Sequence, residues 1–441
     1  MVIRIWSERG RTLTHRPNAR GYAAELLHQV AYGGRSLDRV LGDAAPIDRD
    51  RALIHELTFG ATRHFYSLSE EIASRLTTAL KPRDSIVSCL LVIGAYQLRH
   101  TRIPGYAAVN ETVNATRQIG RPWARGLVNQ LLRRIASEPA PATRSEEAAF
   151  DHPQWLIDAI RGDYPDRWPE VLAANQTRAP LSLRVNLART TREKLLRTLT
   201  EGGVSARSGD PESCVVLDVP TATAGFAELK SGLASVQDAG AMHAANVLLP
   251  LAGERILDAC AAPGGKAMHL LERAAGIRLT ALDIDAERCD LIRAECVRLG
   301  VDATVIEGDA TRLDWWDRRP YAAVLLDVPC SGTGTLRRHP DIKLLKRESD
   351  IDQYQRLQVQ LLHNLWAVVE AGGRLLYCTC SILSRENDQV IDRFLAWTAD
   401  AAVIPIPATW GMATRHGRQI LPHPDAADGF YFALLTKRPA Q

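Results

Sequence analysis

Three segments of this chain carry residue types with a specific chemistry between them. A glycine-rich turn, Asp258-Ala259-Cys260-Ala261-Ala262-Pro263-Gly264-Gly265-Lys266, comes first. Two cysteine motifs follow it, Asp327-Val328-Pro329-Cys330 and Thr379-Cys380-Ser381. Each alone is a weak signal. Together and in this order they point to an enzyme that adds a thiolate to a pyrimidine ring and delivers a methyl group to it.

The chemistry explains why a cysteine is needed. Ring carbon 5 of cytosine is a poor nucleophile, so its direct methylation is slow. A thiolate adding at ring carbon 6 pushes electron density onto carbon 5, which can then attack a sulfonium methyl, and the covalent route divides one hard step into easier ones. A free thiol near its reference pKa is only about 3% thiolate at pH 7, so the site must lower that pKa or pass the proton to a neighbour. Asp327 is placed to hydrogen-bond the ring and to favour a proton at ring nitrogen 3 as the adduct forms. A base must later take the carbon 5 proton so that the cysteine can leave. Spacing alone does not say which of Cys330 and Cys380 attacks.

These motifs need elements to position them, and from about residue 236 the pattern is strand, turn, helix, repeated. Arg255–Asp258, Leu279–Asp283, Ala303–Ile306, Ala322–Asp327 and Gly373–Tyr377 read as parallel strands, with a late strand at Phe430–Leu435. Such alternation predicts a doubly wound, Rossmann-like α/β sheet whose ligands lie beyond the carboxyl ends of the strands. Both cysteine motifs end a strand and so face one crevice. A buried cysteine is by default a small inert hydrophobe, which suits Cys89, Cys289 and Cys296, but strand-end placement argues against that for Cys330 and Cys380.

The turn Ala262-Pro263-Gly264-Gly265 lets the backbone approach a ligand and predicts a helix from Lys266. Asp283 ends the second strand about 25 residues past Asp258, where a ribose-binding acid belongs. Asp309 follows the third strand and is a candidate for contacting an adenine. A dinucleotide fingerprint and a P-loop both fit worse, since Cys260 stands at the first P-loop glycine and Ala267 follows the lysine.

Upstream, residues 16 to about 137 read as helices joined by short polar connections, an all-α bundle. Ile86–Gly94 is apolar nearly all round, as a central helix should be. Val109 opens a further helix, and Pro122 precedes another over Ala124–Ile135. Residues 137–144 have linker composition, and residues 151–235 read as a small α+β module: a helix near 155–163, strands at 181–186 and 214–219, and a helix near 192–199. The expected domains are therefore 1–140, 151–235 and 236–441.

With 441 residues, 46% of them hydrophobic and 24% charged, the chain is expected to be globular. No apolar run approaches the roughly 20 residues of a membrane helix, and Met1–Arg20 has no apolar signal core, so a cytoplasmic address is expected. The eight cysteines are irregularly spaced, with no C-x-x-C pair, which speaks for reduced thiols and against a metal. Residues 1–150 hold 21 Lys and Arg against 14 Asp and Glu, whereas the whole chain nets only +3. A basic head suggests a polyanionic partner. Arg117, Arg121 and Arg125, at i, i+4 and i+8, would share a helical face, with Arg133 and Arg134 extending it.

These motifs resemble those of the Sun-type RNA cytosine-5 methyltransferases, bacterial small-subunit (16S) rRNA enzymes with a NusB-like head. The resemblance covers nearly the whole chain. Val109-Asn110-Glu111-Thr112-Val113 and Leu127–Arg133 look like the NusB-type RNA-binding fold, and residues 151–235 look like the RNA-recognition-like insert of those enzymes. The run Arg337–Lys343 looks like the rRNA branch. The resemblance implies S-adenosylmethionine held by Ala261, Ala262, Pro263, Gly264, Gly265, Lys266, Asp283, Asp309 and Asp327. It implies Cys380 as the nucleophile, Cys330 as the residue that assists product release, and Lys266 and Asp327 in the catalytic set. It also implies rRNA as partner, with Arg337, Arg338, His339 and Lys343 set to hold phosphates around an unstacked cytosine. Two alternatives share some of these features: a tRNA cytosine-5 methyltransferase and a non-catalytic RNA-binding assembly or antitermination factor. Two positions depart from the family pattern. Val328 stands where alanine is common, and Cys378 where a small residue such as serine is usual.

Overall fold

The computed structural model describes residues 18–43, 50–142, 144–219, 221 and 223–439. Most of the arginine-rich stretch Met1–Arg20 lies outside them. The chain divides into two compact units, one of residues up to Ile157 together with His339–Leu345, the other of Asp158–Arg338 and Lys346 onward.

The first unit is helical: α1 (Ala19–Ala31), α2 (Leu37–Gly42), α3 (Arg51–Arg63), α4 (Phe65–Ala73), α5 (Ser85–His100), α6 (Gly105–Gln118), α7 (Arg125–Ser137), α8 (Glu146–Phe150) and the short α16 (Ile342–Leu345). Helix α5 is the central one, with Val87, Leu90, Leu91, Ile93 and Ala95 fully buried. Helix α6 starts at Gly105, a turn earlier than its apolar periodicity suggests, because Pro104 sets the entry. Between α6 and α7 the chain passes through a 3-10 turn at Pro122–Ala124. Arg117 and Arg125 therefore stand on different helices, and the single arginine face expected from i, i+4, i+8 spacing does not form. Arg121 instead donates to Asp84 Oδ1 at 3.2 Å.

The division falls within α9 (Gln154–Asp163), and in the second unit α10 (Trp168–Asn175) leads into a four-stranded antiparallel sheet. Its strands are β1 (Leu181–Val185), β2 (Ala206–Ser208), β3 (Cys214–Leu217) and β4 (Ala234–Val236), in the order β2-β3-β1-β4, with α11 (Arg192–Glu201) and α12 (Ala227–Lys230) between them in the chain. Leu183, Val185, Leu195, Leu199, Val215 and Leu217 form its core. The sequence shows only two of these strands, since β2 and β4 have three residues each and alternation needs more.

The larger sheet has nine strands. They are β5 (Arg255–Ala259), β6 (Arg278–Asp283), β7 (Thr304–Glu307), β8 (Tyr321–Asp327), β9 (Val369–Thr379), β10 (Ala401–Ile404), β11 (Met412–Ala413), β12 (Arg418–Ile420) and β13 (Phe430–Lys437). The order is β11-β12-β13-β9-β8-β5-β6-β7, with β10 on β13. Strands β9, β8, β5, β6 and β7 run parallel, whereas β13 pairs antiparallel with β9. Helices α13 (Ala239–Leu248), α14 (Gly265–Arg273) and α15 (Ala286–Leu299) contribute Met242, Met268 and Ile292 to one core, and α17 (Glu348–Trp366) and α18 (Asp388–Trp397) contribute Leu361, Leu365 and Phe394 to another. The central strands are buried on both faces, which is why they read as continuous apolar runs. Each fully buried side chain there, such as Leu257, contributes about 1.5–3 kcal/mol.

Candidate active site

The site is built at the carboxyl ends of β5, β6, β8 and β9. Strands β8 and β9 are parallel neighbours in which Asp327 stands opposite Cys378, and the ladder continues through Val328 N donating to Cys378 O at 3.1 Å. From that register Cys330 lies three residues on along one chain and Cys380 two residues on along the other. Their sulfurs end 3.4 Å apart. Cys330 and Cys380 are both partly exposed, whereas Cys378 is fully buried. The Cys330 thiol is pushed well above its usual range, first by its hydrogen bond to Cys380, then by burial, then by negative charge on Cys380 and Glu386.

Lys266, one residue into α14, reaches across from the turn after β5. Its Nζ lies 2.6 Å from Asp327 Oδ2, and the Cys378 thiol lies 3.6 Å from Asp327 Oδ1. Burial works against the ammonium, but Asp327, then Cys378 and Cys380, outweigh it and hold Lys266 above its ordinary value. The charged form of Lys266 is thus favoured beside Asp327 and the thiols.

The glycine-rich turn is held by its backbone. Gly264 has φ +100°, which a side chain would strain, and it caps α14 one residue before the position expected from sequence. Asp283 is buried and accepts from Ala262 N at 2.9 Å and Asp285 N at 3.2 Å. Asp309 accepts from Thr311 N at 2.8 Å and Thr311 Oγ1 at 2.7 Å. Behind the turn, Arg184 of β1 is buried; it donates to both oxygens of Glu272, at 2.8 and 2.7 Å, and to Gly265 O at 2.6 Å.

Asp258 is the unusual group. It is 1% exposed, and both its carboxylate oxygens are buried without a hydrogen-bond partner. Burial, then Asp327, push its pKa well up; Lys266 opposes them and Asp283 adds to them. An unpartnered buried carboxyl at the end of the central strand suits a ligand carrying positive charge and donors. S-adenosylmethionine has a sulfonium, an ammonium and two ribose hydroxyls, so the donor set fits it.

Beyond the cysteines, the two loops are tied together. Glu386 is fully buried and accepts from Ser331 N at 2.8 Å, Ser331 Oγ at 2.5 Å, Ser381 Oγ at 2.6 Å and Gln358 Nε2 at 3.1 Å. Gly334 N donates to Cys380 O and Gly429 N to Gly334 O, both at 2.8 Å. A Cβ on Gly334 would meet Gly429 O at 2.2 Å, so two bare backbones pass each other here. Sequence reasoning missed Glu386, Arg184 and the isolation of Asp258. None of the three left a local signal: Arg184 simply occupies a polar position of the alternating run Leu181-Ser182-Leu183-Arg184-Val185-Asn186.

The basic run after the Pro-Cys loop lies elsewhere than expected. Arg337 is 1% exposed and is spent on Asp428 and on the carbonyls of His423 and Ala426. Arg338 is bound by Asp428 and Asp238. Lys343 is 2% exposed and donates to Arg63 O at 2.7 Å and Asp151 O at 2.8 Å within the helical unit. His339 lies beside Asp38, 3.4 Å away. The expectation that Arg337 and Lys343 hold phosphates is corrected, since both are buried and donate to internal acceptors, whereas Arg338 is 27% exposed and held by two carboxylates. His339 alone keeps substantial exposure, 41% of its side chain.

Comparison with known proteins gives three family matches in register with this architecture. The NusB family matches residues 17–137, a ferredoxin-like domain of RsmF/B-like methyltransferases matches 152–224, and 16S rRNA methyltransferase RsmB/F matches 245–436. The chain is 41% identical to ribosomal RNA small subunit methyltransferase B of Pseudomonas putida, over 95% of this chain and 98% of that one. It is 39% identical to the protein of the same name from Shewanella oneidensis, over 95% and 99%. A methyltransferase homologue from Pyrococcus horikoshii shares the fold at TM-score 0.58 and 25% identity, over 66% of this chain and 97% of that one. The small antiparallel sheet is therefore the ferredoxin-like insert, the helical unit is NusB-like, and the chain belongs to the S-adenosylmethionine-dependent 16S rRNA methyltransferase B/F family.

Proposed function

We propose that the protein methylates carbon 5 of a specific cytosine in small-subunit rRNA through a covalent adduct between Cys380 and ring carbon 6. The observation that carries this reading is the pair of cysteines 3.4 Å apart beside the Lys266–Asp327 ion pair. Ala261 to Lys266, with Asp283, Asp309 and Asp327, would hold S-adenosylmethionine, which would supply an electrophilic methyl group. Cys380 Sγ bonds to carbon 6, and the carbon 5–carbon 6 π pair moves to carbon 5, which would take the methyl group as the sulfur–methyl bond breaks and the donor leaves as a neutral thioether. Asp327 hydrogen-bonds the ring edge and favours a proton on nitrogen 3. When the carbon 5 proton is removed, the ring double bond re-forms and the Cys380–carbon 6 bond breaks, with Cys330 assisting that release.

The test is transfer of radiolabelled methyl to small-subunit rRNA lacking the modification, with wild type, Cys380→Ala and Cys330→Ala. Loss of label in Cys380→Ala, with an RNA–protein adduct persisting in Cys330→Ala, is the expected result. An adduct that survives in Cys380→Ala would exchange the two roles. Absence of labelling by wild type would direct the search to tRNA, or to a non-catalytic RNA-binding role.

A further inference from the structure

Glu386 has no place in the chemistry described so far, yet it touches both halves of it. Two of its bonds come from Ser331, the residue after Cys330, and one from Ser381, the residue after Cys380. The fourth comes from Gln358, whose Nε2 also donates to Pro329 O at 3.0 Å and so grips the Pro-Cys loop from behind. One carboxylate therefore fixes the residues flanking both sulfurs. Its four donors match the acceptor capacity of an ionised carboxylate, and removing the charge would leave mismatched donors.

These four donors are all neutral, so they solvate the charge of Glu386 without cancelling it. In a buried setting that charge is screened less than it would be at the surface. It disfavours a second anion on Cys330, where its influence is registered alongside that of Cys380. The Lys266 ammonium, by contrast, is stabilised by negative charge on Cys380. The two sulfurs are within hydrogen-bonding distance and can share a proton.

We propose that Glu386 is a positioning residue: it clamps the two cysteine loops with their sulfurs at hydrogen-bonding separation, and its buried charge sets the order in which the sulfurs become reactive, Cys380 before Cys330. The inference rests on Cys380 being the nucleophile and concerns the state before the ring is attacked, with no bond made or broken. Glu386 acts through the cysteines and does not meet the substrate.

The experiment is alkylation of the full-length protein, without RNA or methyl donor, by substoichiometric iodoacetamide between pH 6 and 10. Initial rates at Cys330 and Cys380 are resolved by peptide mass spectrometry. In wild type Cys380 reacts at lower pH than Cys330. In Glu386→Gln the Cys330 profile moves down by about one pH unit, so the preference for Cys380 at pH 8 falls about tenfold. Glu386→Asp keeps the charge but shortens the reach, and is expected to preserve the pH order while slowing methyl transfer. Profiles of Glu386→Gln that superimpose on wild type would overturn the inference, as would Glu386→Asp shifting them as far as Gln does. Should Glu386→Gln not fold by circular dichroism, Ser381→Ala loosens the clamp with the charge in place, and an unchanged single-turnover rate there would refute the clamp. Failure of the nucleophile assignment shows separately, as methyl transfer retained in Cys380→Ala.

Discussion

Lys266 Nζ lies 2.6 Å from Asp327 Oδ2, which joins the turn after the central strand to the last residue of its neighbour. The same carboxylate meets the Cys378 thiol through its other oxygen. Asp327 is thus oriented before any substrate arrives. Asp327→Asn keeps the shape and removes the charge, and methyl transfer is expected to fall by about 100-fold with the circular dichroism spectrum unchanged. Transfer within about twofold of wild type would remove Asp327 from the catalytic set. Cys378 is a different matter. Burial and Asp327 push its thiol well up, so it should stay unlabelled by iodoacetamide at pH 8, and Cys378→Ser should keep transfer within about threefold.

Arg337 separates a structural role from an RNA-binding one. It is buried against Asp428, so Arg337→Gln leaves a carboxylate short of its partner and is expected to cost about 3–5 kcal/mol of stability. A phosphate contact would instead reduce the slope of RNA affinity against salt by about one. Chemical denaturation and binding at several salt concentrations are the two measurements, and a reduced slope at unchanged stability would contradict the buried role.

Arg184 and Glu272 form a bidentate pair that is 1% and 3% exposed. Arg184→Met strands the carboxylate and is expected to cost about 3–5 kcal/mol, while the double change Arg184→Met with Glu272→Leu should recover much of it. Because Arg184 also holds Gly265 O, the double variant should bind the methyl donor more weakly even where its melting temperature recovers. Calorimetric titration with S-adenosylmethionine checks this, and an unchanged Kd would confine Arg184 to stability.

Glu25 gives a pH test in the helical unit. Burial raises its pKa from 4.5 to about 7, so between those values the folded protein binds more protons than the unfolded chain. Stability from this group is present below pH 4.5 and is lost as the pH rises through about 7. Glu25→Gln should therefore raise the unfolding free energy at pH 8 by about 1–2 kcal/mol, after discounting for partial exposure, and leave it unchanged at pH 4.5. Equal shifts at both pH values would rule out ionisation as the cause.

The five parallel strands and the helix that follows the glycine turn were legible because apolar runs and turn residues are local signals. So was the placement of the two cysteine motifs, each beyond the end of a strand and facing the other. Strands β2 and β4 were not, since three residues carry no period. The fate of Arg337 and Lys343 was not legible either: an arginine reads as solvated until the fold supplies Asp428 from 91 residues downstream. Glu386 was hidden for the same reason, because its partners Ser331 and Gln358 are distant in sequence and adjacent only after the sheet forms.

The passage of Gly334 against Gly429 has an implication for how such an enzyme can vary. The two loops are joined there by backbone alone, with no room for a side chain on Gly334. Beside the Glu386 clamp, part of the spacing between the two cysteine loops is thus carried by main chain, through Gly334 N donating to Cys380 O. Side chains at the rim that touch neither tie can vary without disturbing that contact. A substitution at Gly334 has no compensating partner, since the obstruction is a carbonyl oxygen that every amino acid possesses.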